Sequence, residues 1–266
     1  MTWVIGASSI LGHGLMISDV RISFGDGTEA DLLRKSYRVA PYILAGFAGS
    51  VDIGLRLIGS LQDFLNVPDL PNNAAWQPDW VAENWSPIAA RLFDDSPSME
   101  QSSGSQIIMV GVSPNENMGA SGFQRVYVTK FNWPDFIPVH MGKGLSVCHI
   151  GSGSNIERYE SGVAEFFKFD SSAMLAGMQS GPTGWSQMVG SSIGRIVSES
   201  PAPGISPHVF IDACQLGTFW SGTNDQNTYH PDGSKVEFRM PEVASNYRDF
   251  IVLCQKLGKA SARAVA

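Results

Sequence analysis

This chain of 266 residues has few cysteines, no cluster of basic residues and no long apolar run. The three cysteines, Cys148, Cys214 and Cys254, are odd in number and widely spaced. That argues against a disulfide framework and against a C-x-x-C metal site, and it points to a reducing, cytoplasmic setting. Charged residues make up 16% of the chain, an ordinary globular composition. The net charge is −7 and no Lys/Arg-rich run occurs, so neither nucleic acid nor an anionic membrane surface is expected as a partner. No basic segment followed by an apolar one begins the sequence, and no apolar run approaches the ~18 residues of a spanning helix. The five histidines are scattered and lack spacing such as H-x-x-x-H, so no metal is expected. No cofactor motif is read either.

What is present is an apolar fraction of 43%, enough for a substantial core. The patterning alternates strand runs with helix pairs. Residues 2–7 and 15–23 read as a hairpin, 35–39 and 42–47 as a second strand pair. Val51, Leu55, Ile58, Leu61 and Leu65 recur at helical spacing up to Pro68 and Pro71. A second helix is expected over 79–93, with a break or kink at Pro87. Residues 94–105 read as a loop. Strands are expected over 106–113, 123–131 and 145–150, helices over 155–169 and 185–198, then strands over 207–213 and 217–221. A last helix is expected over 244–259. Strand runs alternating with helix pairs indicate an α+β chain of antiparallel sheets rather than βαβ units. Two sheets packed face to face, with a helix pair outside each, would accommodate the order. Residues 1–223 are read as one domain and 224–266 as a C-terminal extension.

The chemistry concentrates at the N-terminus. Thr2 stands behind the initiator Met1 and leads into a strand. Once Met1 is removed, Thr2 carries a β-hydroxyl nucleophile and a free α-amine that serves as its base. The amine has a reference pKa of about 7.7–8.0, so part of it is neutral near pH 7. Such a threonine needs a nearby cation, and Lys35 is a candidate. The lysine needs a compensating carboxylate, and Asp19 is a candidate. The substrate oxyanion needs a backbone N–H, and Gly49, just before a helix, can offer one without a side chain in the way. Arg21, two residues beyond Asp19, is expected on the same strand face. Each has an ordinary alternative: Asp19 and Arg21 as a surface pair, Lys35 on a solvated face, the glycines as packing devices. Cys148-His149 offers a weaker nucleophile–base pair, because adjacent strand side chains point to opposite faces.

Thr2, Ser18-Asp19-Val20-Arg21, Lys35 and Ala45-Gly46-Phe47-Ala48-Gly49 together resemble proteasome β-type subunits. The likeness is closest to the bacterial peptidase subunit that partners a AAA+ unfoldase. The sixteen-residue step from Asp19 to Lys35 is similar to that family, as is His149-Ile150-Gly151-Ser152-Gly153-Ser154 leading into a helix. The likeness covers residues 2–65 closely, 106–220 by element order, and not the tail.

The resemblance implies an N-terminal nucleophile (Ntn) hydrolase of four-layer αββα architecture. Thr2 would be nucleophile and base, tuned by Lys35, with Asp19 orienting the lysine and Gly49 binding the oxyanion. Ser152 would bond near the amine, and Arg21, Phe47 and Val51 would serve substrate binding. It further implies a homo-oligomer of stacked rings, a peptide or unfolded-protein substrate and an AAA+ ATPase partner. Alternatives are an Ntn amidohydrolase acting on a small amide and a catalytically silent assembly subunit. The sequence departs from the family in three places. The first hairpin is one residue longer. The Asp-x-x-Ser-Gly-Gly segment is missing, with Glu199, Ser200 and Ser206 as possible replacements. Residues 66–105 and the tail exceed a minimal member. With Met1 attached, the Thr2 nitrogen is an amide and cannot act as a base.

Overall fold

The computed structural model of the chain describes residues 2–67, 76–118, 122–142, 144–166, 179–224, 228–229, 235–236, 239–259 and 264–265. The structure is mixed α+β with antiparallel sheets. Strands β1 (Val4–Ser8), β2 (Gly14–Asp19), β3 (Arg21–Phe24), β4 (Glu29–Asp31), β5 (Ser36–Ala40) and β6 (Ile43–Gly49) come first. Helices α1 (Val51–Leu65), α2 (Pro78–Asp94) and α3 (Ser98–Gln101) follow. Next come β7 (Ser105–Asn117), β8 (Gln124–Asn132), β9 (Val139–His140) and β10 (Ser146–Ile150), then α4 (Glu157–Phe166) and α5 (Gly181–Glu199). The chain continues through β11 (Val209–Gln215), β12 (Thr218–Thr223), β13 (Thr228–Tyr229) and β14 (Lys235–Val236) to α6 (Tyr247–Lys256) and β15 (Ala264–Val265).

One five-stranded sheet has the order β10-β1-β2-β11-β12 and the other β5-β6-β7-β8-β9. Strand periodicity distributes their apolar side chains into three clusters. Trp3, Ile5, Leu15 and Ile17 pack with Tyr159, Val163, Trp185 and Ile193 on helices α4 and α5. Ala45, Phe47, Ile107 and Met109 pack with Ile53, Leu57, Val81 and Trp85 on α1 and α2. The alternate residues Val4, Met16, Leu44, Ile108, Val110, Val126 and Val128, from both sheets, form the third. Helix α1 is fixed at its start by Ser50 Oγ, which accepts from Ile53 N at 3.3 Å, a serine N-cap.

Three expectations need correction. Residues 15–23 are two strands in different sheets, because the Val20 carbonyl accepts the amides of Leu32 and Leu33 at 3.0 and 3.2 Å. Helix α2 runs through Pro87 without the expected break. Val81, Ala82 and Trp85 before the proline and Ala89 and Phe93 after it anchor both halves in one cluster, which offsets the lost backbone bond. The expected loop 94–105 contains α3, and the Gln101 amide donates to the carbonyls of Phe93, Asp94 and Ser96 at 2.9, 3.0 and 2.9 Å. Pro68, Pro71, residues 167–169 of the third expected helix and much of the 224–243 stretch lie outside the described residues.

The tail closes back on the body. Ala244 N donates to Leu32 O at 2.7 Å, and Arg34 N donates to Ala244 O at 2.9 Å. Phe250, Leu253 and Cys254 of α6 enter the cluster under α1, and β15 pairs with β3. The segment that carries Lys35 is therefore fastened by the tail. No described helix is long and apolar enough to cross a membrane.

Candidate active site

The break between β2 and β3 aims Asp19 inward. Its carboxylate is 1% exposed and accepts four donors: Thr2 Oγ1 at 3.2 Å, Trp3 N at 3.2 Å and Lys35 Nζ at 2.6 Å on Oδ1, and Ser206 N at 3.1 Å on Oδ2. Lys35 is wholly buried. Its Nζ donates to Thr2 Oγ1, Asp19 Oδ1 and the Arg21 carbonyl. Three acceptors match the three N–H groups of an ammonium. Burial holds the Lys35 pKa below its ordinary 10.5, and the neighbouring Asp19 charge opposes that shift. Thr2 Oγ1 thus donates to a carboxylate and accepts from an ammonium.

The turn after β10 wraps the other side of Thr2. Thr2 N donates to Ser152 Oγ at 3.0 Å, and Gly153 N donates to Thr2 O at 3.1 Å. Gly151 N donates to Gln106 Oε1 at 3.0 Å, tying this turn to the second sheet. Gly151 has φ +82°, and a Cβ there would lie 2.4 Å from Thr2 O. That position therefore demands glycine. Gly49 is similar: its φ is +107°, and a Cβ would meet Gly104 O at 2.4 Å.

Thr2, Gly49 and Ser152 line an open cavity of about 380 Å³ together with Ser105, Gln106 and Lys130. Thr2 itself is 0% exposed. The structure thus brings Thr2, Asp19, Lys35, Gly49 and Ser152 to one place. It puts the three substrate-binding candidates elsewhere. Arg21 pairs through Nε and a terminal nitrogen with Asp31, at 2.7 and 3.3 Å, and this bond raises its pKa further. Phe47 and Val51 are buried at 0% and 2%. Phe47 packs beside Tyr37 with ring centroids 6.5 Å apart, and neither Phe47 nor Val51 lines the cavity.

Of the three residues weighed for the missing support, Ser206 takes part. Its N–H holds Asp19 Oδ2, and its Oγ donates to Asp31 Oδ2 at 2.8 Å. Ser200 offers its carbonyl to the Tyr159 hydroxyl at 2.6 Å. Glu199 faces Arg158 and Arg195 at 3.6 and 3.9 Å on the surface. The Cys148-His149 pair is split as strand alternation requires. Cys148 enters the cluster between the sheets, where burial pushes its thiol up to about 12. His149 Nδ1 accepts from Trp3 Nε1 at 3.2 Å.

Sequence reasoning missed Lys130, Ser105 and a buried polar relay. In that relay Ser18 Oγ donates to Ser36 Oγ at 3.0 Å, and Ser36 Oγ to Asp212 Oδ2 at 2.6 Å. Arg34 completes it at 2.6 Å from Asp212 Oδ1, so the residues on both sides of Lys35 are held. Among the described residues no group of three or more His, Cys, Asp or Glu side chains is placed to hold a metal ion. No protein-family model matches the chain, and no curated protein matches it.

Proposed function

We propose that the chain is a threonine peptidase of the proteasome β-subunit type, an Ntn hydrolase with a four-layer αββα sandwich. One observation carries the reading. Thr2 Oγ1, Lys35 Nζ and Asp19 Oδ1 form a closed hydrogen-bonded triangle, with Thr2 in the wall of an open cavity. The three apolar clusters, one between the sheets and one under each helix pair, support the layering.

Removal of Met1 gives Thr2 a free α-amine. The amine takes the Oγ1 proton, and the Lys35 ammonium stabilises the oxygen as it attacks the substrate carbonyl carbon. The oxyanion meets the Gly49 N–H. The tetrahedral adduct collapses, and the leaving amine takes the proton from the Thr2 ammonium. Water, deprotonated by the same amine, then hydrolyses the Thr2 ester and restores the hydroxyl. Ser152 Oγ orients the amine. On this reading the protein acts in the cytoplasm as stacked homo-oligomeric rings fed by an AAA+ ATPase, on peptide or unfolded protein. Retention of Met1 would make it a silent assembly subunit.

A second reading, an Ntn amidohydrolase for a small amide, is favoured by the burial of Phe47 and Val51. That burial fills the pocket expected to receive a substrate side chain. Hydrolysis of a peptide coumarylamide separates activity from its absence. Thr2→Ala should abolish turnover, and Thr2→Ser should retain part of it. Turnover by Thr2→Ala at the wild-type rate rejects Thr2 as nucleophile.

A further inference from the structure

Lys130 has no place in the chemistry just described, yet it lines the same cavity as Thr2. Its strand explains its direction. Val126 and Val128 of β8 point between the sheets, and strand alternation carries Lys130 to that same inner face. Its backbone pairs with Ile108, another residue of that face. A cation therefore stands where the apolar layer ends and the cavity begins. Its backbone is paired in the sheet, but among the described residues the Lys130 side chain makes no hydrogen bond or ion pair. None of the described residues lining the cavity is acidic. A second polar group there also lacks a partner among the described residues: Ser105 Oγ is buried, its residue 1% exposed, and bonds to none of them. Buried hydroxyls are rarely left so.

From this geometry we infer that the cavity selects substrates whose acyl portion carries a carboxylate near the scissile amide, with Lys130 as its counter-charge and Ser105 Oγ as a donor to it. The inference rests on the reading of Thr2 as nucleophile only in placing the scissile bond. A carboxylate brought to Lys130 gains a charge-assisted bond without displacing an existing partner, whereas a cationic side chain there meets an unscreened like charge.

The test uses N-acetylated tetrapeptide coumarylamides with Glu, Leu or Lys before the scissile bond. The wild type should show kcat/KM for Glu at least tenfold above Leu, and Leu above Lys. Lys130→Met should collapse the Glu-to-Leu ratio toward one, Lys130→Arg should keep most of it, and Lys130→Glu should turn preference toward Lys. A Glu-to-Leu ratio near one in the wild type, or unchanged in Lys130→Met, overturns the inference. Equilibrium binding of the same peptides to Thr2→Ala protein reads it independently of turnover. Tighter, salt-sensitive binding of the Glu peptide, lost in Lys130→Met, upholds the carboxylate site even if the wild type hydrolyses nothing. Equal binding of all three overturns it.

Discussion

Lys35 Nζ lies 2.6 Å from Asp19 Oδ1, and both side chains are almost wholly buried. Breaking one half of such a pair strands the other charge in a medium that cannot solvate it. Asp19→Ala and Lys35→Ala should each destabilise the fold by about 3–5 kcal/mol. The double variant Asp19→Ala with Lys35→Ala should lose less than the sum of the two single losses, because no charge is left unpaired. Urea denaturation of the single and double variants measures the coupling. Additive losses would mean that the two groups act separately.

The same burial gives a pH signature. Lys35 has its folded pKa held below the ordinary 10.5. Between those two values the unfolded chain binds the extra proton, so stability rises with pH across that window. Below it, the full cost of burying the ammonium is present. Wild type should therefore gain on Lys35→Met as pH climbs toward 10.5. Activity should move the other way, with an alkaline limb below 10.5 as the ammonium that steadies Thr2 Oγ1 is lost. Paired denaturation and pH–rate profiles check both directions.

Gly151 presses on the Thr2 carbonyl. Alanine there must adopt φ +82° with its Cβ 2.4 Å from Thr2 O. With ψ at −174° this extended, positive-φ conformation is one that only glycine adopts readily, and holding alanine in it costs about 1–3 kcal/mol; relief of the contact should shift Ser152 away from the Thr2 nitrogen. Gly151→Ala should lower kcat at least tenfold while melting only a few degrees early, as differential scanning fluorimetry and steady-state kinetics would show. A variant with normal kcat would mean that Ser152 does not position the amine.

Asp212 is fully buried and joins Arg34, Ser36 and Ser221. Asp212→Ala removes the acceptor shared by Arg34, Ser36 and Ser221, while Arg34 keeps the Ser36 carbonyl and Ser221 Oγ, so a loss of about 1–3 kcal/mol is expected by chemical denaturation. Asp212→Asn should lose less, because it keeps one oxygen acceptor.

Much of this arrangement was legible in the sequence where periodicity and spacing carry the physics. The Val51–Leu65 helix follows from its apolar repeat. Thr2, Asp19 and Lys35 have complementary chemistry, and the structure places them in contact. The split of 15–23 was not legible, because it depends on Leu32 and Leu33 reaching the Val20 carbonyl from twelve residues downstream. That split sends Arg21 to Asp31 rather than to the cavity. Phe47 looked like a pocket residue, but whether the space beside it is open depends on Tyr37 and Gly54 packing against its ring. Lys130 had a readable signal: Val126, Val128 and Lys130 alternate onto one face, and a lysine in that row marks where the apolar core gives way. Ser206 carried no such mark, since it supports Asp19 through its backbone N–H.

The most direct measurement is intact-mass analysis of the purified protein before and after treatment with a β-lactone electrophile. With Thr2 as a freed N-terminal nucleophile, the mass lacks Met1, one adduct forms per chain, and peptide mapping places it on Thr2. Full-length mass with no adduct would contradict the proposal and leave Thr2 a buried structural residue.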